Sequence, residues 1–172
     1  LTLAYTGTRA GELLAACWAD VDWSRQILTI SKSTSKGALG TTKTGAVREV
    51  YLPDLLVQAL RVHQEGQLRA QAAGIETGRI FPGRGGALRD AGALRKPFAA
   101  ASKRAGLDVE VTAQVLRRTY NTLGVAAGVD RLVLRSQMVH TREEMTAHYY
   151  SGDAAAKAEA SSKILQLKGE GG

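Results

Sequence analysis

The segment from Arg9 to Trp18 carries apolar residues at helical spacing. A Thr6-Gly7 step separates it from a short helical stretch, Leu1 to Tyr5, because Gly commonly ends a helix. The pattern therefore predicts two short helices at the start of the chain. The residues on the apolar face of the second predicted helix are Leu13, Leu14 and Cys17.

Further along, the pattern changes to that of a β-hairpin. Ile27, Leu28 and Ile30 mark one strand, and Arg48 to Leu52 alternates as a returning strand. The stretch Ser33 to Gly45 is rich in Ser, Thr, Gly and Lys and is predicted to be an exposed hairpin tip. The sequence thus predicts one small antiparallel sheet near the N-terminus.

The remainder of the chain is predicted to be helical, with Pro53 ending the strand and Asp54 capping the next helix. The fold class is therefore α+β, mostly α-helical, in a single domain over 1–172. The predicted helices run from Asp54 to about Ala73 with Leu55, Leu56, Ala59 and Leu60 inward, from Leu94 to Ala105, from Thr112 to about Ala127, from Asp130 to Val139, from Glu143 to Tyr150 and from Ala154 to Leu167.

Composition supports one globular domain and narrows its setting. The chain has 172 residues, of which 44% are apolar and 23% charged, which is ordinary for a packed domain. We expect no membrane span, because no stretch is long and apolar enough. The single cysteine, Cys17, suits a cytoplasmic protein and is predicted to be a core residue. With no initiator Met, the chain is expected to be a fragment that lacks an upstream part.

The net charge of +7 and a pI of about 9.8 favour a polyanionic partner, of which nucleic acid is the commonest. Charge alone does not decide between such a partner and simple solubility.

Two arginine positions are candidates for binding a phosphate. Arg9 follows a Gly turn at the start of a helix, where free amides and the helix dipole favour an anion. The simpler interpretation is a surface pair with Glu12 one turn along. Arg117 and Arg118 lie in a helix with apolar neighbours, so one of them faces the buried side and needs an anionic partner. That partner is either a protein carboxylate or a substrate phosphate.

Four motifs in order change this picture. Thr6 to Leu13, followed by Trp18 to Asp22, resembles the first signature of the tyrosine recombinase (phage integrase) family. Lys43-Thr44 before Arg48 to Pro53 resembles its catalytic hairpin, Leu116 to Thr119 its second-arginine helix, and His140 with Met145 to Tyr149 its closing segment. The resemblance covers 1–152, and four motifs in family order are far more specific than one.

The resemblance implies roles for individual residues. Arg9 and Arg117 match the arginines that clamp the phosphate, and Lys43 matches the hairpin lysine, a general acid for the leaving sugar oxygen. His140 matches the histidine that adds a hydrogen bond to that phosphate. Tyr149 matches the nucleophile by its spacing from His140, with Tyr150 one position too late.

One position departs from the family pattern. Gln114 stands three residues before the second arginine, where the family has His, Lys or Tyr. Glutamine forms hydrogen bonds but carries no proton between groups. Two alternatives therefore stay open: a weakened or inactive DNA-binding relative, and a basic helical nucleic-acid-binding module with an accidental motif match.

The resemblance also implies the reaction and its setting. Such enzymes cut and rejoin double-stranded DNA through a 3′-phosphotyrosine intermediate, with no metal or other cofactor, in phage or mobile-element integration or in chromosome-dimer resolution. They act as dimers or tetramers on DNA in a bacterial cytoplasm, and an upstream DNA-clamping domain is expected. The segment 153–172, with its predicted helix, either packs on a neighbouring subunit or folds back on its own core.

Overall fold

The computed structural model describes residues 1–43, 45–72, 74–138, 158–159 and 162–163. The predicted helices at Glu143 to Tyr150 and Ala154 to Leu167 lie largely or wholly outside these residues. The elements, in chain order, are α1 (Thr2–Thr6), α2 (Ala10–Ala15), β1 (Val21–Asp22), β2 (Ile27–Ile30), β3 (Lys32–Ser35), β4 (Ala38–Thr41), β5 (Arg48–Tyr51), α3 (Asp54–Arg69), α4 (Arg95–Arg104), α5 (Ala113–Ala126) and α6 (Arg131–Met138).

A three-stranded antiparallel sheet has the order β1-β2-β5, with Leu28 opposite Val50 and Ile30 opposite Arg48. Its inner face packs on α3 in the main core. The predicted mostly helical fold with a small antiparallel sheet is confirmed. The buried members of the main core are Tyr5, Ala16, Val21, Leu28, Ile30, Val50, Leu52, Leu56, Val57, Leu60 and Ile80.

The predicted exposed tip at Ser33 to Gly45 is only partly right. β3 and β4 form a separate two-stranded antiparallel ribbon, with Thr34 opposite Leu39. All four residues of β4 are exposed, whereas Thr34 in β3 is buried. The ribbon packs on α2 at Gly11, where an added Cβ would overlap the carbonyl oxygen of Thr34 and lie 2.8 Å from the hydroxyl of Ser33.

The second helix is shorter than predicted. α2 ends at Ala15, and Cys17 is partly buried in an extended conformation rather than on the helix face. The reason is a tertiary pairing, in which the Ala16 carbonyl accepts from the Ile80 amide at 3.1 Å and the Trp18 amide donates to the Gly78 carbonyl at 2.8 Å. These hydrogen bonds need an extended backbone, so long-range pairing overrides the local helical pattern.

The start of α3 also differs from its prediction. Pro53, not Asp54, occupies the cap position, and no side chain caps the helix. The Asp54 carboxylate instead accepts a hydrogen bond from Gln26 at 2.5 Å. Leu55, predicted inward, is 48% exposed, and Val57 takes its place beside Leu56 in the core. The helix ends at Arg69, before the predicted Ala73.

The last two described helices form a second apolar cluster. Thr112 caps α5 as predicted, its hydroxyl accepting from the Val115 amide at 3.1 Å. α5 packs against α1 where Gly7 has a positive φ of 61° and lies so close to Tyr120 that a Cβ would be 2.6 Å from the ring. This close approach brings the loop before Arg9 next to α5. The buried members of the cluster are Tyr120, Val129, Val133, Leu134 and Met138.

We expect Gly11→Ala to destabilise the protein by about 1–3 kcal/mol, because its Cβ overlaps backbone that cannot move aside without displacing β3. Urea unfolding measures the loss. The matched control is Gly40→Ala on β4, where nothing lies within 4 Å of an added Cβ. Equal stabilities for the two variants would contradict this account of the contact between ribbon and helix.

Candidate active site

Arg9 occupies the cap position of α2 in an extended conformation. Its backbone amide donates to Glu12 Oε2 at 2.9 Å, and its guanidinium Nη1 donates to Glu12 Oε1 at 3.0 Å. The predicted Arg9–Glu12 pair therefore exists, but it is not an ordinary surface contact. The Glu12 side chain is fully buried, while that of Arg9 is 26% exposed.

The same carboxylate binds a second arginine, from β5. Arg48 donates from Nη1 to Glu12 Oε1 at 3.2 Å and from Nη2 to Oε2 at 2.5 Å, and its side chain is only 7% exposed. Burial alone would raise the pKa of the Glu12 carboxyl, but the hydrogen bonds and charge of Arg48, with the bonds from Arg9, hold that pKa below its usual value. Glu12 is therefore ionised at neutral pH.

Arg117 projects from α5 toward the same place. Its Nη1 donates to the carbonyl of Gly7, and its Nη2 donates to the carbonyl of Met138. Burial, followed by the positive charge of Arg9, lowers the pKa of Arg117 to about 10, so the group is still a cation at neutral pH. The structure thus brings Arg9 and Arg117, distant in sequence, into one cluster of cations.

Gln114 lies in the first turn of α5, three residues before Arg117, and is exposed. Residues three apart lie on the same side of a helix, so both side chains extend from neighbouring positions of α5. An exposed amide there is able to donate a hydrogen bond to a ligand bound at Arg117.

Lys43 is exposed in a turn that follows β4. The turn is closed by Thr42, whose carbonyl accepts from the Gly45 amide at 2.9 Å and whose buried hydroxyl donates to the Ala46 carbonyl at 2.9 Å. No ion pair of Lys43 is found among the described residues. The remaining predicted site residues, His140 and Tyr149, with the alternative Tyr150, lie outside the described residues.

Sequence reasoning missed Arg48 as a site residue and took Glu12 only for a surface partner. A signal existed for both. Arg48 begins the alternating run in which Val50 and Leu52 point inward, and Glu12 directly precedes the apolar pair Leu13-Leu14. A charge in line with inward-facing residues indicates a buried ion pair, because a buried charge needs a partner.

Metal binding and membrane insertion each require recognisable features of a structure. Within the described ranges, no group of three or more His, Cys, Asp or Glu side chains is arranged to hold a metal ion. No helix in that part of the chain has the length and apolar character to cross a membrane.

The chain is similar to known proteins of one family. Residues 1–156 match the phage integrase family. A curated relative, the tyrosine recombinase XerC-like protein of Caldanaerobacter subterraneus subsp. tengcongensis, is 26% identical over an alignment covering 85% of this chain and 42% of the relative.

Solved structures share the fold. The crystal structure of XerA recombinase superposes with a TM-score of 0.66 at 21% identity, covering 98% of this chain and 56% of that one. The integrase of the transposon Tn1549, solved with a circular intermediate DNA, gives a TM-score of 0.69 at 21% identity, covering 94% and 55%. The integrase of mycobacterium phage Brujita gives 0.68 at 20% identity, covering 95% and 49%.

The chain spans about half the length of these relatives, or less. Its helical fold, its small sheet and the family match over 1–156 agree with one another. An accidental motif match in an unrelated basic module is therefore wrong: this chain belongs to the phage integrase family and has the tyrosine recombinase catalytic-domain fold.

Proposed function

We propose that this chain is the catalytic domain of a site-specific DNA recombinase or integrase, which cuts and rejoins DNA through a covalent 3′-phosphotyrosine. The observation that carries the proposal is the meeting of Arg9 and Arg117. Arg9 and Arg48 share the single carboxylate of Glu12, and Arg117 is held by two neutral carbonyls. Three guanidinium groups thus gather around one carboxylate, and such a set of fixed cationic donors is suited to binding a phosphodiester.

In the proposed reaction, the Tyr149 oxygen attacks phosphorus and the bond from phosphorus to the 5′ oxygen breaks. The phenol proton passes from Tyr149 to solvent water, and the Lys43 ammonium donates a proton to the departing 5′ oxygen, which becomes a hydroxyl. Arg9 and Arg117 stabilise the negative charge that develops on the non-bridging oxygens, and His140 adds a hydrogen bond. The phosphotyrosine ester retains the energy of the broken bond. A 5′ hydroxyl from another strand can therefore attack this ester and reverse the steps, which reseals the DNA.

The chain position of His140 supports its role. It follows Met138 by two residues, and two residues span at most about 7 Å. The Met138 carbonyl binds the Arg117 guanidinium, which belongs to the proposed phosphate site. The short covalent link from Met138 therefore limits the distance between the backbone of residue 140 and that site.

The partners follow from the same proposal. The substrate is double-stranded DNA, which agrees with the surplus of basic residues and with DNA in the Tn1549 integrase structure. We further propose that the protein acts as a dimer or tetramer on DNA, with its C-terminal segment as a contact between subunits, and that it works on DNA in the cytoplasm. The comparisons do not favour a DNA-binding relative that no longer cuts, because the similar proteins are named as recombinases and integrases.

Tyr149→Phe is expected to abolish the covalent protein–DNA adduct, because phenylalanine has no nucleophilic oxygen. A suicide substrate with a nick next to the cleavage site traps the adduct, which a denaturing gel detects at saturating DNA. Tyr150→Phe is the matched control and is expected to retain the adduct. Loss of the adduct in Tyr150→Phe, with its retention in Tyr149→Phe, would move the nucleophile by one position.

Lys43→Ala is expected to slow adduct formation by about 100-fold, the lower range for loss of a general acid. A substrate with sulfur in place of the bridging 5′ oxygen should restore the rate, because a thiolate leaves without a proton. The control is Lys36→Ala, an exposed lysine of the same ribbon, which should behave as wild type on both substrates. If sulfur does not rescue Lys43→Ala, the lysine is not the acid.

Gln114→Ala is expected to slow adduct formation by about tenfold, which corresponds to one hydrogen bond to a charged group. Gln114→His should equal or exceed the wild-type rate, since imidazole both forms that bond and exchanges a proton. Single-turnover rates at saturating DNA measure both. A Gln114→Ala rate equal to that of wild type would remove this residue from the site.

A further inference from the structure

Two arginines bind the last two carbonyls of α6. Arg48 Nε donates to the Gln137 carbonyl at 2.8 Å, and Arg117 Nη2 donates to the Met138 carbonyl. The final carbonyls of a helix have no partner inside the helix and carry its negative dipole end, so cations bind there favourably. The two arginines therefore hold the C-terminal end of α6, as far as Met138, in place.

Arg48 makes two contacts, one with the Gln137 carbonyl and one with the Glu12 carboxylate. Its Nη1 and Nη2 both bind Glu12, so all three guanidinium nitrogen atoms have protein partners, and its side chain is 7% exposed. Arg48 is therefore too buried to contact a DNA phosphate, whereas the side chain of Arg9 is partly exposed. It connects the carboxylate that orients Arg9 to the end of α6.

The chain that continues from this point carries the proposed histidine and nucleophile. Val139 and His140 directly follow Met138, and Tyr149 comes nine residues after His140. A displacement of the α6 end would therefore displace the start of that segment relative to Arg9 and Arg117. Errors of about 1 Å in placement are enough to reduce catalysis substantially.

We propose that Arg48 is a positioning residue for DNA cleavage, which ties the end of α6, and with it the segment beginning at His140, to the Glu12 carboxylate that orients Arg9. The proposal rests on the proposed function, because it assigns Arg48 to the geometry of that same site. Its competitor is a purely structural role, in which Arg48 only neutralises the buried Glu12.

Arg48→Lys separates the two roles. A lysine still places a positive charge opposite Glu12, but its single nitrogen does not reproduce the bidentate pair together with the Gln137 bond. The matched control is Arg25→Lys, an exposed arginine that also binds a glutamate of β5, Glu49, at 3.2 Å. If Arg48 only compensates the charge of Glu12, both variants should have the same small effect on the rate of adduct formation.

At saturating DNA, we expect Arg48→Lys to lower the single-turnover rate of adduct formation by about tenfold or more while the Kd for DNA changes less than about twofold. Arg25→Lys should leave both unchanged. A loss confined to DNA affinity, or a wild-type rate, would overturn the proposal. The wild-type adduct and its absence in Tyr149→Phe test the proposed function separately.

A double-mutant cycle asks whether Arg48 acts through the histidine. Neighbouring groups that act as a unit give non-additive losses. We therefore expect Arg48→Lys in a His140→Ala background to lower the rate by less than about threefold. A full tenfold loss in that background would overturn the positioning of His140 by Arg48 and would leave Tyr149, in the same segment, as the group that Arg48 positions.

Hydrogen exchange without DNA tests the anchoring itself. Arg48→Lys should accelerate amide exchange over Arg135 to Met138 by about tenfold or more, with α3 as the internal reference and Arg25→Lys unchanged. Unchanged exchange in Arg48→Lys would overturn the proposal even if wild type forms no adduct. Should Arg48→Lys not fold, Glu12→Gln/Arg48→Gln removes both members of the buried ion pair together and undergoes the same exchange test, with the same two outcomes.

Discussion

The structure around the candidate site depends on one buried charge, the carboxylate of Glu12. An ionised carboxylate inside a protein costs several kcal/mol unless hydrogen-bonded cations surround it. Glu12 meets this requirement with Arg9 on its own helix and Arg48 on β5. The need to pair this charge holds the start of α2 against β5, and β5 against the end of α6, because Arg48 also binds the Gln137 carbonyl.

The negative charge of Glu12 also stabilises the cluster of arginines in the absence of substrate. Burial is the largest cause of the lowered pKa of Arg117, and repulsion from the charges of Arg9 and Arg48 lowers it further. Glu12 acts in the opposite direction on that pKa, and the carbonyls of Gly7 and Met138 hold the guanidinium in place. Donors fixed in this way need little reorganisation when a phosphate binds, which is how preorganised sites stabilise developing charge.

Sequence reasoning succeeded where local pattern and tertiary structure agree. Thr112 was predicted to open the helix that the structure shows as α5. The apolar residues from Ile27 to Ile30 located β2, and the alternation from Arg48 located β5. It failed where long-range pairing decides. Hydrogen bonds to Ile80 and Gly78 hold Ala16 and Cys17 in an extended conformation, and Gln26 binds the Asp54 carboxylate that was expected to cap α3. The Arg9–Glu12 pair was visible in sequence, but its burial depends on Arg48, which lies far along the chain.

The candidate site combines a fixed part with an exposed part. Arg9, Glu12, Arg48 and Arg117 are held by mutual contacts, whereas Lys43 lies in an exposed turn after β4, whose residues are all exposed. The ribbon contacts α2 through β3, at Thr34 and Gly11, and at its tip the Lys36 amide donates to the Asp90 carboxylate at 2.9 Å. In the proposed reaction, phosphate binding therefore relies on geometry set by folding. Lys43 is exposed in its turn, so in the same proposal proton delivery depends on where this turn lies once DNA is bound, which couples the protonation of the leaving oxygen to correct binding of the substrate.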